Sequence, residues 1–151
     1  MGNNGMRASL SKKLALLSPY IEVNRDVKSR SFHLKGRKKI KAVAIFMEGI
    51  TDYRFLNRDI LLPLMNREFV GSRDAYNLLE EISDSILTVG QIEKVATIPD
   101  MINTIFDGLT LLIFEGIVEA LAIDIRSGEY RQIQEPVLDQ SMRGPRESFT
   151  E

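Results

Sequence analysis

Two apolar runs dominate this chain. Leu109-Thr-Leu-Leu-Ile-Phe114 and Val118-Glu-Ala-Leu-Ala-Ile-Asp-Ile125 are separated only by Glu115-Gly116-Ile117. They are its most hydrophobic segments, so any core has to form on them. Short apolar runs broken by a glycine turn predict paired strands, here central ones. A length of 151 residues suits one ordinary domain or two very small subdomains sharing an interface. With 44% hydrophobic and 27% charged residues, the composition is that of a globular protein.

Elements of both periods surround these runs. Ser9 to Leu17 predicts a short helix with Leu10, Leu14 and Leu17 on one stripe, ended by Ser18-Pro19. Asp26–Leu34 alternates weakly and reads as an edge strand, and Ile40–Met47 is nearly continuous apolar and reads as a buried one. Glu48-Gly-Ile-Thr-Asp52 turns the chain into a helix, with Thr51 as N-cap and Tyr53, Leu56, Ile60, Leu61 and Leu64 facing inward. Pro63 is expected to end or kink that helix near Leu62. A cleaner stripe, Ala75, Leu78, Leu79, Ile82 and Ile86, predicts a helix over 73–86.

Thr88–Val95 then reads as a strand. Thr97-Ile-Pro-Asp100 opens a helix that buries Met101, Ile102, Ile105 and Phe106, and Gly108 closes it. Tyr130–Ile133 reads as one more short strand before an irregular tail. The expected class is α/β in the α+β sense: two small packed subdomains, mixed sheets, and helices on the sheet faces. Residues 1–25 form a flexible basic arm with a short helix, 26–87 the first subdomain and 88–151 the second.

The net charge of −1 hides an asymmetry. Residues 1–41 carry 11 Lys or Arg against 2 acids, and residues 42–151 carry 9 against 19. A basic arm ahead of an acidic body suits an anionic membrane face, an acidic partner or nucleic acid. Nucleic acid is disfavoured, because the arm has no such motif and only Tyr20 and Phe32 as aromatics. There is no cysteine, which excludes disulfides, thiolate metal sites and cysteine nucleophiles. No apolar run approaches the roughly 18 residues of a membrane helix.

Catalytic candidates are sparse. His33 is the only histidine, too little for a metal centre or a triad. Glu48 and Asp52 flank a strand-to-helix turn, and Asp124 lies late in an apolar strand beside Arg126. These three are the candidates to line a ligand site, although each also serves as a cap or a solvated charge. Alternation sets Asp124 on the face opposite Glu119 and Glu115, which weakens an acid pair. Glu48-Gly-Ile-Thr51 lacks the lysine and glycine spacing of a P-loop. No enzyme, metal or cofactor is expected.

The tail carries the most distinctive string, Met142-Arg-Gly-Pro-Arg-Glu-Ser-Phe-Thr-Glu151. It resembles the Arg-Gly-Pro-Arg-Glu-x-Phe signature of the GerA-type spore germination receptor A subunits. Phe46-Met-Glu-Gly-Ile-Thr-Asp52 is similar to that family's Asp-Gly-Leu turn, with Glu48 for its usual aspartate. Asp59-Ile-Leu-Leu-Pro-Leu-Met65 is similar to its Ile-Leu-x-Pro-Leu helix end. Asp107-Gly-Leu-Thr-Leu-Leu-Ile-Phe-Glu-Gly116 and Ala120-Leu-Ala-Ile-Asp-Ile-Arg126 resemble its strand motifs, with Glu115 and Ile125 replacing an aspartate and a threonine.

The resemblance implies the N-terminal hydrophilic domain of a nutrient germinant receptor A subunit, ahead of a membrane domain. It implies B and C subunits as partners, an oligomer of A subunits forming an ion channel, and an amino acid, sugar or nucleoside germinant. The implied location is the spore inner membrane, with this domain on the cytoplasmic, spore-core side. Arg143, Gly144, Pro145, Arg146 and Glu147 would lie at the junction and serve assembly and signal coupling. The alternatives are a germinant-sensing domain lined by Glu48, Asp52 and Asp124, or the same domain of a SpoVAF-like spore membrane protein.

Overall fold

The computed structural model describes residues 9–36, 39–69, 75–86 and 91–126. Helix α1 (Leu10–Ile21) leads to strands β1 (Val27–Gly36) and β2 (Ile40–Met47). A continuous helical stretch follows: α2 (Tyr53–Phe55), a π-helical segment (Leu56–Leu61) and α3 (Leu62–Asn66). The short β3 (Glu68–Phe69), α4 (Ala75–Ser85), β4 (Ile92–Val95), α5 (Ile98–Phe106), β5 (Thr110–Phe114) and β6 (Ala120–Ile123) complete the order.

All six strands join one mixed sheet in the order β3-β1-β2-β5-β6-β4. Five of them pair antiparallel, and β3 adds two residues parallel to β1. The described strands before and after residue 88 share this sheet, because β2 pairs with β5 from Ala42↔Phe114 to Ile45↔Leu111. The class is α+β, with helices on both faces.

Alternation divides the core in two. Ala42, Ala44, Phe46, Leu112, Phe114, Leu121 and Ile123 face the 53–66 stretch and α4, where Leu56, Ile60, Leu64, Leu79 and Ile82 meet them. Val43, Ile45, Leu111, Ile113, Ala120 and Ala122 face α1 and α5, where Leu10, Leu17, Met101 and Ile105 meet them. The apolar runs of the sequence are continuous because these strands are covered on both sides.

Several details differ from the sequence reading. Helix α1 runs past Pro19 to Ile21. The proline sits in the last turn, so few ladder bonds lie beyond it, and the N–H of Glu22 still reaches the Ser18 carbonyl at 3.0 Å. Pro63 neither ends nor breaks its helix. The π segment just before it has already shifted the ladder, with Leu62 N–H donating to Asn57 O, and the chain remains helical to Asn66. The N-cap of α2 is Asp52, not Thr51; the Asp52 carboxylate accepts from Phe55 N at 3.1 Å.

Tyr53 is 46% exposed and Phe106 42%, so neither belongs to its inward stripe. Tyr53 stands at the helix start and leans on Phe46 at 5.4 Å between ring centroids. Phe106 lies about 100° round the helix from Ile105, and Thr104 takes the buried place. The predicted cap at Thr97, by contrast, is observed, its hydroxyl accepting from Asp100 N at 3.2 Å. The expected strand over Tyr130–Ile133 lies outside the described residues.

Two glycines with left-handed φ shape the central hairpin, Gly108 (φ 90°) before β5 and Gly116 (φ 86°) at its turn. A Cβ on Gly116 would meet nothing within 4 Å, whereas one on Gly108 would sit 2.9 Å from Ile50 Cγ2. Backbone strain alone costs about 1–2 kcal/mol in either alanine variant. Gly108→Ala adds a clash and is therefore expected to lower the urea midpoint more than Gly116→Ala. Equal midpoints would show that the Gly108–Ile50 approach is unimportant.

Candidate functional site

The strand-to-helix turn at 48–52 is stitched to the end of β6. Ile50 N and Thr51 N both donate to Met47 O, at 3.2 and 3.0 Å, and close the turn. Thr51 then bridges Arg126 in antiparallel fashion, and Asp52 N donates to Ile125 O at 2.9 Å. Gly108 completes this corner: a Cβ there would also lie 3.5 Å from Arg126 Cδ, so the arginine stem covers it. Three separate pieces of chain thus meet where β6 ends.

The electrostatics of the corner centre on Arg126. Its Nε donates to Asp124 Oδ1 at 2.9 Å and its Nη2 to Asp124 Oδ2 at 2.8 Å, a two-point pairing. The Arg126 side chain is 8% exposed and that of Asp124 23%. A buried guanidinium held this way resists movement, because separating the pair strands a charge away from water.

Of the predicted ligand-lining residues, Asp52 and Asp124 come to this corner, where one caps α2 and the other holds Arg126. Glu48 is largely exposed and lies 3.7 Å from Lys28 on β1. Arg143, Gly144, Pro145, Arg146 and Glu147 lie outside the described residues. His33 is exposed on β1. Among the described residues no group of three His, Cys, Asp or Glu is placed to hold a metal. No helix among them is long and apolar enough to cross a membrane.

Two long-range contacts of α1 had weak sequence signals. Glu115, read as a rim acid, accepts from Leu10 N at 3.0 Å and so binds the start of α1 from 105 residues away. Lys13 is buried, and its ammonium donates to Ile117 O. The only hint was its spacing: Lys13 lies three residues after Leu10 and four before Leu17, on the buried stripe. On the opposite helical layer, Arg30 reaches Tyr53 Oη at 3.2 Å and Asn57 Oδ1, tying β1 to the 53–66 stretch. Arg58, paired with Asp59, has its pKa raised by that hydrogen bond and charge, a surface contact without acid–base use.

Residues 15–151 match the family model described as Bacillus/Clostridium GerA spore germination protein. The chain is 27% identical over 143 residues to spore germination protein KA of Bacillus subtilis, covering 95% of this chain and 26% of that protein. It is 36% identical over 109 residues to stage V sporulation protein AF of the same organism, covering 70% and 21%. Its fold resembles the crystal structure of the N-terminal domain of the A subunit of the Bacillus megaterium spore germinant receptor GerK3. That likeness has a TM-score of 0.66 at 25% identity, covering 81% of this chain and 48% of that one. The chain thus spans about a quarter of the length of the curated relatives it matches.

Removing one partner of the Asp124–Arg126 pair tests the brace. Asp124→Ala is expected to cost about 3 kcal/mol, since the arginine stays buried without that carboxylate. Adding Arg126→Leu is expected to restore much of the loss. Urea denaturation of the two variants reads both effects, and a single variant as stable as the parent would show that the pair braces nothing.

Proposed function

Because this chain belongs to the Bacillus/Clostridium GerA spore germination family, we propose that it is the soluble N-terminal domain of a nutrient germinant receptor A subunit. Its work is receptor assembly and signal coupling, without catalysis. The observation that carries this reading is the braced corner. The backbone of 124–126 is tied to the 48–52 turn by the Thr51–Arg126 bridge and the Asp52–Ile125 hydrogen bond, and the Asp124–Arg126 pair stiffens the segment from within. Arg126 is therefore a fixed point, and a force that reaches it is delivered to the sheet and to α2.

In this reading the domain lies on the spore-core side of the inner membrane, beside B and C subunits and further A subunits. A nutrient, whether amino acid, sugar or nucleoside, is sensed elsewhere in the receptor. The likeness to stage V sporulation protein AF supports the alternative that this is the same domain of a SpoVAF-like spore membrane protein.

Two measurements test the proposal. In the full receptor, Arg146→Ala is expected to slow germination with protein levels intact; unchanged germination would remove the junction from the pathway. Thermal unfolding of the 151-residue chain against amino acids, sugars and nucleosides is expected to be flat. A ligand at a hundred times its Kd would add about 2.7 kcal/mol. A saturable shift from one compound would instead make this a sensing domain, with Glu48, Asp52 and Asp124 the first residues to substitute.

A further inference from the structure

Helix α1 has two apolar edges, and the domain uses one. Leu10 and Leu17 are buried against the sheet, while Leu16 is 58% exposed, Tyr20 52% and, just past the helix, Val23 81%. Leu16 and Tyr20 stand four residues apart and so form one ridge, with exposed Lys12 a turn before and exposed Arg25 just beyond Val23. Three large apolar side chains left in water within eight residues need a reason.

The neighbouring sheet surface supplies charge. Val43 and Ile45 share a buried cluster with α1, and the register sets Ser31 opposite Val43, Ser29 opposite Ile45 and His33 opposite Lys41. Cross-strand partners share a face, so the face that α1 covers continues into exposed serines, His33 and Lys41. These residues lie in the stretch 1–41, whose charge is +9, while 42–151 carries −10.

Exposed acids are also present, Glu22 and Asp26 beside Arg25 and Glu115 beside Lys41, but the apolar ridge with cations at both ends is the pattern of an element that lies in a membrane interface. We propose that the outer edge of α1, with the basic β1–β2 surface beside it, docks on an anionic phospholipid surface. Leu16, Tyr20 and Val23 enter the headgroup boundary, and Lys12, Arg25 and Lys41 face the lipid phosphates. The inference stands on exposure and charge and does not depend on the receptor reading. Docking here would leave the Asp124–Arg126 corner untouched.

Vesicle co-sedimentation of the 151-residue chain tests it, with pure phosphatidylcholine set against mixed phosphatidylcholine–phosphatidylglycerol vesicles. Binding is expected to the mixed vesicles only, and to fall as salt rises. Lys12→Glu with Arg25→Glu is expected to weaken it at least roughly 25-fold, about five-fold for each basic residue. Leu16→Ser, Tyr20→Ser and Val23→Ser together are expected to abolish it with the thermal midpoint held, since all three side chains are exposed. No binding to either vesicle, equal binding to both, or full binding by the folded triple variant would overturn the proposal. A concentration-dependent dimer that the triple variant loses, without vesicle binding, would also overturn it by assigning the ridge to a second copy.

Discussion

Everything in this fold depends on β2 and β5 lying side by side with both faces buried. Their pairing from Ala42↔Phe114 to Ile45↔Leu111 sends even-numbered residues to one helical layer and odd-numbered residues to the other. A slip of one residue would exchange the two sets, pressing Phe114 onto the α1 side and emptying the space under Leu56 and Ile60. Such a slip is prevented from both sides at once, which an amphipathic strand with one wet face cannot achieve. The alanines at 42, 44, 120 and 122 and the large side chains at 112, 114 and 121 are thus partners in one packing arrangement.

Polar groups are spent at the ends of this sheet rather than within it. At one end Glu115 and the Ile117 carbonyl hold the start of α1; at the other Asp124, Arg126 and Asp52 lock the last strand to the turn after β2. Apolar packing says little about where a helix begins or how a strand ends, because it is non-directional. Hydrogen bonds do, and those of Glu115, Lys13 and Asp52 join residues far apart in sequence. The same logic stiffens the corner, since a displacement of residue 126 cannot be absorbed without breaking directional contacts.

The candidate site was legible in kind but not in arrangement. Asp52 and Asp124 stand out from sequence as acids flanking apolar strands, yet nothing local says that Asp52 donates its N–H to residue 125. Nor does local sequence separate Thr51 from Asp52 as the cap; that follows from where the bridge to Arg126 places the backbone. Lys13 shows the same limit. By composition it is a solvated charge, yet it is buried with its ammonium donating to the Ile117 carbonyl. Pro63 is a further case, since the π segment that tolerates it depends on packing Leu56, Ile60 and Leu61 together.

From the sequence alone came the hairpin at 109–125, the buried strand at 40–47, the capped helix after Thr97 and the family signature. Each is written in neighbouring residues, through period, glycine turns and capping hydroxyls. Tertiary structure alone decided that β2 lies against β5, so that both halves of the chain share a sheet, and that Arg126 turns inward onto Asp124 and Gly108. It also decided that α1 keeps Leu16 and Tyr20 in water. Apart from the local Asp124–Arg126 pair, those outcomes rest on contacts between segments well separated in sequence, and their energies exist only once the layers have met.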